Sequence, residues 1–549
     1  MTALWDAATA HAIGAAWLRD AIAPAGAFGR RARARERPFR PGDESAARAA
    51  LARVAALAER VPADRLAALR SAIARAPDLG ALWARATGGG TLDDVDFFEV
   101  GRLLDALLDV ATLLHGDASE ASPENVLEDT AIAALRAALL PGRTTACGFY
   151  LASSFDPTLA HERAAAAAAH AGYDAARSRL NVRVAAYAGI ERIRDGEFVL
   201  MRDALGATLP PEIRVVREAP TYLLCEVALD TDALAALARS DAAAARVAAA
   251  EEGVRERLSR SVAGAAHSVE RACDALGELD ALVARAQFTR RYACVVPEIT
   301  AGSGSAFVDA RYLPLCETLA AHGRRYASLS LDLCGLGVVT GPNMGGKTAA
   351  LRTLGFLNAC LALGVPVPAA SARIALVDEI VWLGIGAGDG ADDGLLSAFG
   401  REVVALRGFL ERDPGRALVL VDEFARTTSP REGRALLVAL LERLRERGAS
   451  GLAATHLAGI AASAGVAHYA VGGLRGAPSD DPLPPPGGAP LTLDAALARI
   501  AQTMDYRLAR VDEDAVPAAD ALKLARALGL DARLVDRALA ALGDARSPR

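Results

Sequence analysis

The segment Gly341-Pro-Asn-Met-Gly-Gly-Lys347-Thr348 constrains this chain more than any other. It matches G-x-x-x-x-G-K-[ST], with an apolar run at 336–340 before it and helix-forming sequence at 348–363 after it. A strand that turns through glycines into a helix commits this half of the chain to an α/β sheet. Glycines let backbone N–H groups approach phosphate oxygens, and the helix N-terminus adds positive potential. Gly341, Pro342, Asn343, Met344, Gly345 and Gly346 are therefore candidates for a phosphate cradle. Lys347 would reach the β- and γ-phosphates of ATP, and the Thr348 hydroxyl would ligate Mg²⁺. Composition sharpens the point: the chain has only two lysines, Lys347 and Lys523, among 61 basic residues. A lysine kept where arginine does nearly all the basic work marks chemistry that arginine does not replace.

The surroundings of the loop alternate. Residues 328–333, 337–340, 374–377, 417–421 and 451–455 read as strands, and 347–363, 394–412 and 431–447 as helices. This pattern predicts a parallel α/β sheet in the C-terminal half. Ala417-Leu-Val-Leu-Val-Asp422-Glu423 has the pattern of a buried strand ending in two carboxylates. Asp422 is the candidate for the Mg²⁺ shell, and Glu423 for orienting or deprotonating an attacking water. Ala454-Thr455-His456 ends the next strand candidate, which makes His456 a candidate contact to the γ-phosphate.

Before this region the sequence is mainly helical. Residues 43–60, 64–76 and 93–114 carry apolar residues at helical spacing. The arginine-rich stretch 26–41 reads as a solvated loop, 141–155 as a break, and 157–180 as a helix. Short strands are expected at 181–188, 198–202, 213–217 and 222–229, then one long helix at 232–293, which suggests an arm projecting from a body. Asp96-Phe97-Phe98-Glu99 falls in a helical period and reads as core. Residues 472–490 contain DDPLPPPGGAP, a low-complexity surface loop. A helical pair follows at 517–528 and 531–542, where Leu534, Val535, Ala538, Leu539 and Leu542 form a stripe that suits either its own domain or a dimer contact. A length of 549 residues predicts three to four domains at about 150 residues each. The expected division is a helical region at 1–140, a helical lever or core region at 141–296 with a small β insert at 181–229, an ATPase domain at 297–505 and a C-terminal helical pair at 506–549.

Charge and cysteines narrow the setting. Sixty-one Lys and Arg against 67 Asp and Glu leave a net charge of −6, which is not the footprint of a dominantly electrostatic nucleic-acid binder, although a local basic face fits inside such a total. The seven cysteines are scattered without a C-x-x-C pair, which points to a reducing cytoplasm and to neither disulfides nor a zinc site. No long apolar run or basic-then-apolar leader is present, so neither a membrane partner nor a signal peptide is expected.

At this point the residues resemble a known family. VVTGPNMGGKTAALRTLG, VPVPAASARIALVDEIVWLGIGAGD, LLSAFGREV, VLVDEFARTTSPREGRAL and AATH resemble the MutS-family ATPase domain, over about residues 297–542. The resemblance implies an ABC-like P-loop ATPase fold and a homodimer with two composite nucleotide sites. It assigns Ser397 in LLSAFGREV to the serine that completes the partner's site, and Asp389 to the loop before it. It also sets Tyr312 in ARYLP where a ring meets adenine. Two departures stand out. The family's G-R-G-T-S is here Ala425-Arg426-Thr427-Thr428-Ser429, a stiffer loop. The arginine and serine usual before the aspartate are Gly384 and Gly388. Neither the mismatch-reading domain of one branch nor the nuclease-like domain of another is expected. Tyr326 in R-R-Y-x-S-L and the ending M-D-Y-R-L…V-P-x-x-x-A-L-K-L-A are similar to a smaller branch, the reactivating ATPase of cobalamin-dependent lysine 5,6-aminomutase or ornithine aminomutase. That implies a client aminomutase, with a small companion subunit, while the net charge of −6 and the lack of a mismatch-reading domain predict only weak, salt-labile DNA binding. The alternative is a MutS-related protein that binds mismatched or structured DNA in repair or recombination. A third reading keeps the ATPase and gives it another protein client.

Overall fold

Thirteen strands carry the β structure of the described residues: β1 Glu197–Met201, β2 Ile213–Glu218, β3 Tyr222–Val227, β4 Glu298–Thr300, β5 Gly304–Ala310, β6 Leu329–Cys334, β7 Leu336–Thr340, β8 Ser371–Ala375, β9 Glu379–Gly384, β10 Ala417–Asp422, β11 Ser450–Ala454, β12 Ala467–Val471 and β13 Leu508–Arg510. The computed structural model describes residues 3–114, 129–143, 148–193, 196–204, 208–342, 345–384, 398–412, 415–472, 504–511, 522, 525, 528 and 530–544. The chain forms two compact units, one of Met1–Ala74 with Gly277–Arg549 and the other of Arg75–Leu276. The first 74 residues thus group with residues 277–549, whereas the sequence reading kept them with 75–140.

In the first unit the main sheet has the order β13-β12-β7-β11-β10-β9. Strands β12, β7, β11, β10 and β9 pair in parallel, and β13 joins antiparallel. β7, β9 and β11 are buried at every position, as parallel strands covered on both faces must be. The helix Lys347–Ala362 is buried nearly all round and packs in one core with Ile13, Leu18, Leu51 and Leu420. The outer edge of β9 is closed by the N-terminal segment: Ile380 N–H donates to the Leu4 carbonyl at 2.8 Å, and Trp382 N–H to the Thr9 hydroxyl at 3.1 Å. Covering this edge removes a row of unpaired backbone groups. A second sheet, β4-β8-β5-β6, lies in the same unit.

The second unit contains the helix Asp94–Leu114, which buries Phe97 completely, so Asp96-Phe97-Phe98-Glu99 is core helix as expected. The helix Pro157–Ala188 runs antiparallel to the 231–276 part of the helix Thr231–Arg291, through Arg163–Glu251 at 2.7 Å, Arg246–Glu162 at 2.9 Å and Arg257–Asp156 at 3.0 Å. The antiparallel sheet β1-β3-β2 packs its Phe198, Leu200, Leu223 and Cys225 against Leu180, Val184 and Ala236 of these helices.

Three expectations are corrected. Residues 181–188 continue the helix Pro157–Ala188, because Leu180, Val184 and Ala185 share one buried face at helical spacing. The stretch 26–41 contains the helix Ala27–Arg35, seated by buried Phe28 and Gly29. The expected strand at 374–377 belongs to the second sheet as β8, and β9 takes the place beside β10.

Candidate active site

The candidate phosphate loop leaves β7 at Gly341 and enters the helix Lys347–Ala362 through Gly346. Gly346 has φ +100°, a conformation that L side chains rarely adopt, and a Cβ there would stand 3.4 Å from the Tyr506 ring. Lys347 is 5% exposed. Its Nζ donates to the Gly341 and Pro342 carbonyls at 2.9 and 3.2 Å and lies 3.8 Å from Glu423 Oε1. Burial lowers the lysine's pKa, while Glu423 and Asp422 raise it. Asn343 and Met344 lie outside the described residues.

β10 delivers the carboxylates. β11 pairs with β7 on one side and β10 on the other, so the three strand ends stand together. The Thr348 hydroxyl donates to Asp422 Oδ1 and Oδ2 at 3.0 and 3.2 Å. Burial raises the Asp422 pKa, with Glu423 adding to it, against the Thr348 hydrogen bond, which lowers it. Gly384 ends β9 opposite Asp422, and a Cβ there would fall 2.4 Å from the Asp422 carbonyl oxygen. No side chain fits at this register, which explains a glycine where the resemblance leads one to expect arginine. Glu423 turns out of the strand with φ +51°, its N–H donating to the Ala454 carbonyl at 3.0 Å. Arg426 Nη1 donates to Glu423 Oε2 at 3.1 Å.

His456 is exposed just past the end of β11, two residues beyond Ala454 and between the loop strand and the acid strand. Tyr312 is corrected. It caps the helix Leu313–Ala321, is 5% exposed, and meets Phe356 edge-on at 5.6 Å, so the core occupies its ring. Among the described residues, the ring of half-buried Tyr506 lies beside the candidate phosphate loop, between Asp505 and Arg507, whose side chains form a bidentate pair at 3.0 and 2.9 Å. Tyr326 bonds the loop helix through Thr353 Oγ1 at 3.1 Å. Ser397, Asp389 and Gly388 lie outside the described residues, as does most of the expected helix 517–528. In the helix Ala532–Asp544 the stripe divides, with Val535 buried and Leu534 and Leu539 exposed. Sequence reasoning missed Glu402, a carboxylate 8% exposed that accepts the Ala425 N–H at 2.9 Å. A glutamate in a helical period carries no mark of burial.

The donor set fits a magnesium nucleotide. Mg²⁺ is held by one or two carboxylates together with hydroxyl, water and phosphate oxygens, and Thr348 and Asp422 supply that hydroxyl and carboxylate side by side. No cluster of three or more His, Cys, Asp and Glu suited to a metal occurs among the described residues. Nor is any helix among them long and apolar enough to cross a membrane. None of the six described cysteines is in a disulfide.

Comparisons with known proteins agree with this geometry. Residues 337–471 match the family model MutS domain V. Endonuclease MutS2 of Geobacillus thermodenitrificans is 32% identical over 210 residues, 37% of this chain and 26% of that protein. Endonuclease MutS2 of Halothermothrix orenii is 41% identical over 119 residues, 22% and 15% respectively. DNA mismatch repair protein MutS of Azorhizobium caulinodans is 33% identical over 216 residues, 38% and 23% respectively. The chain spans about a quarter of the length of the curated relatives it matches. The resemblance to an aminomutase reactivase gains no support from these relatives. Residues 337–471 are thus similar to MutS domain V.

Proposed function

We propose that this chain is a MutS-related, Mg²⁺-dependent ATPase that acts on DNA in repair or recombination. The observation that carries the ATPase reading is the assembly of Lys347, Thr348, Asp422 and Glu423 at the ends of adjacent parallel strands. Bound Mg²⁺ would neutralise charge on the phosphates and fix their orientation. The loop from Gly341 to Gly346 cradles the phosphates with the backbone N–H groups of its residues other than Pro342, and Lys347 turns its Nζ from the loop carbonyls to the β/γ-phosphates. Asp422 and Thr348 hold the metal, Glu423 orients and deprotonates the water, and His456 contacts the γ-phosphate. Ser397 completes the site of a second copy in a homodimer. Tyr506, not Tyr312, is the ring within reach of the loop.

The DNA reading is supported by the relatives, which are named for endonuclease and mismatch-repair proteins. Nothing in the structure or the relatives favours an aminomutase client, and it is not proposed. Titration of duplex, mismatched and branched DNA at physiological salt, with and without Mg-ATP, tests the reading. Structure-selective binding at roughly nanomolar affinity is expected, responding to Mg-ATP and losing that response in Lys347→Ala. Weak, salt-labile binding that is equal for all three DNAs would overturn the DNA reading and leave an ATPase with a protein client.

A further inference from the structure

Glu402 takes no part in the site as described, yet its carboxylate is buried. It lies in the helix Ala398–Arg412, which opens one residue after Ser397. Its Oε2 accepts the N–H of Ala425 at 2.9 Å, in a buried hydrogen bond. Burial raises its pKa, and the Ala425 N–H and Arg426 draw it back.

That bond holds a costly piece of backbone. Glu423 and Ala425 have φ of +51° and +58°, a region that residues other than glycine occupy only when their surroundings enforce it. Three ties enforce it. The Glu423 N–H is fixed to the Ala454 carbonyl, Phe424 is sunk in the core, and the Ala425 N–H is fixed to Glu402. The first comes from β11 and the last from the helix that follows Ser397, so the direction of the Glu423 side chain is set jointly by two elements.

We propose that Glu402 is the positioning residue of Glu423, coupling the helix after Ser397 to the hydrolytic carboxylate. The proposal rests on the ATPase reading. Removing the acceptor leaves a buried amide unpaired and lets the turn relax, which moves Glu423 off the water. The groups that hold the nucleotide are fixed elsewhere: Lys347 by the loop carbonyls and Thr348 by Asp422. The effect therefore falls on kcat and spares affinity.

The test compares the full chain with Glu402→Ala and Glu402→Gln. It measures single-turnover ATP hydrolysis, the Mg-ATP dissociation constant and amide hydrogen exchange of residues 423–428. Glu402→Ala is expected to slow hydrolysis about 10-fold or more, the scale of a small misplacement. It should leave the dissociation constant within about 3-fold and speed exchange across the turn. Glu402→Gln keeps an acceptor oxygen and is expected to stay within about 3-fold of the parent on every readout. Hydrolysis at the parent rate in Glu402→Ala, unchanged exchange, an equal loss of affinity, or a Glu402→Gln as slow as Glu402→Ala would each overturn the proposal. If Glu402→Ala does not fold, Glu402→Asp, whose acceptor is drawn back by one methylene, replaces it with the same expected split. If the parent itself hydrolyses no ATP, the ATPase reading fails, and exchange alone decides whether Glu402 holds the turn.

Discussion

At the residue scale, the Thr348 hydroxyl, the Lys347 ammonium and the carboxylates of Asp422 and Glu423 stand together, and burial works against charge at Lys347 and Asp422. Burial raises the Asp422 pKa and lowers that of Lys347. A phosphate beside Lys347 and a cation beside Asp422 would reverse both penalties, so the folded state is poised for ligand at some loss of stability. The sign for Asp422 follows from linkage. Its folded pKa lies above the unfolded value, so the folded state holds the proton more tightly, and this stability is lost as pH rises through the folded pKa. Asp422→Asn is therefore expected to melt higher than the parent near pH 7 without ligand, and to lose the stabilisation by Mg-ATP that the parent shows. Thermal unfolding with and without Mg-ATP measures both, and an unchanged ligand response in Asp422→Asn would remove Asp422 from the metal's shell. Gly341 to Thr348 and the Asp422–Glu423 pair were legible in the sequence because each sits at a strand end with one short pattern around it. Glu402 and Tyr506 were not, since their neighbours come from 23 residues and 160 residues away in the chain.

At the element scale, the strands 337–340, 417–421 and 451–455 were readable as buried apolar runs, and all three fall in the main sheet. β9 was not, because Ile374 to Leu383 presents two apolar runs split by Asp378 and Glu379, and fully buried strands lack the alternation that separates them. Residues 181–188 misled through Val182 and Val184, β-branched residues in the last turns of a helix. The stretch 26–41 misled through its arginines, whose stems cover apolar surface while their heads stay wet. Its helix is pinned from outside: Asp280 is fully buried and accepts the N–H groups of Ala25 and Gly26 at 3.0 and 2.7 Å. Gly26 is the N-cap, whose N–H a helix start leaves unpaired, and Ala25 precedes it. Burial raises the Asp280 pKa against those two bonds, so the pair of amides is what justifies a carboxylate there. Asp280→Ala strands both donors and is expected to cost about 1–3 kcal/mol in urea unfolding. A change below about 0.5 kcal/mol would show that water replaces the carboxylate.

At the scale of the whole molecule, the chain joins a MutS domain V-like segment, residues 337–471, to an N-terminal stretch that seals the edge of its sheet. The second unit, Arg75–Leu276, is built from long helices and a three-stranded sheet, and the family match does not extend over it. The helical character of this unit was legible from spacing, but its partition from residues 1–74 was not. That partition depends on which core Ile13, Leu18 and Leu51 enter, and amphipathic helices do not encode their partners. The account stands on the nucleotide chemistry of the first unit. Single-turnover hydrolysis of Mg-ATP by the parent and by Glu423→Ala, with the dissociation constant measured alongside, tests it most directly. The expected result is Mg²⁺-dependent turnover in the parent and a loss of about 10²-fold or more in Glu423→Ala, with affinity retained. Turnover at the parent rate in Glu423→Ala, or no Mg-ATP binding by the parent, would contradict the account.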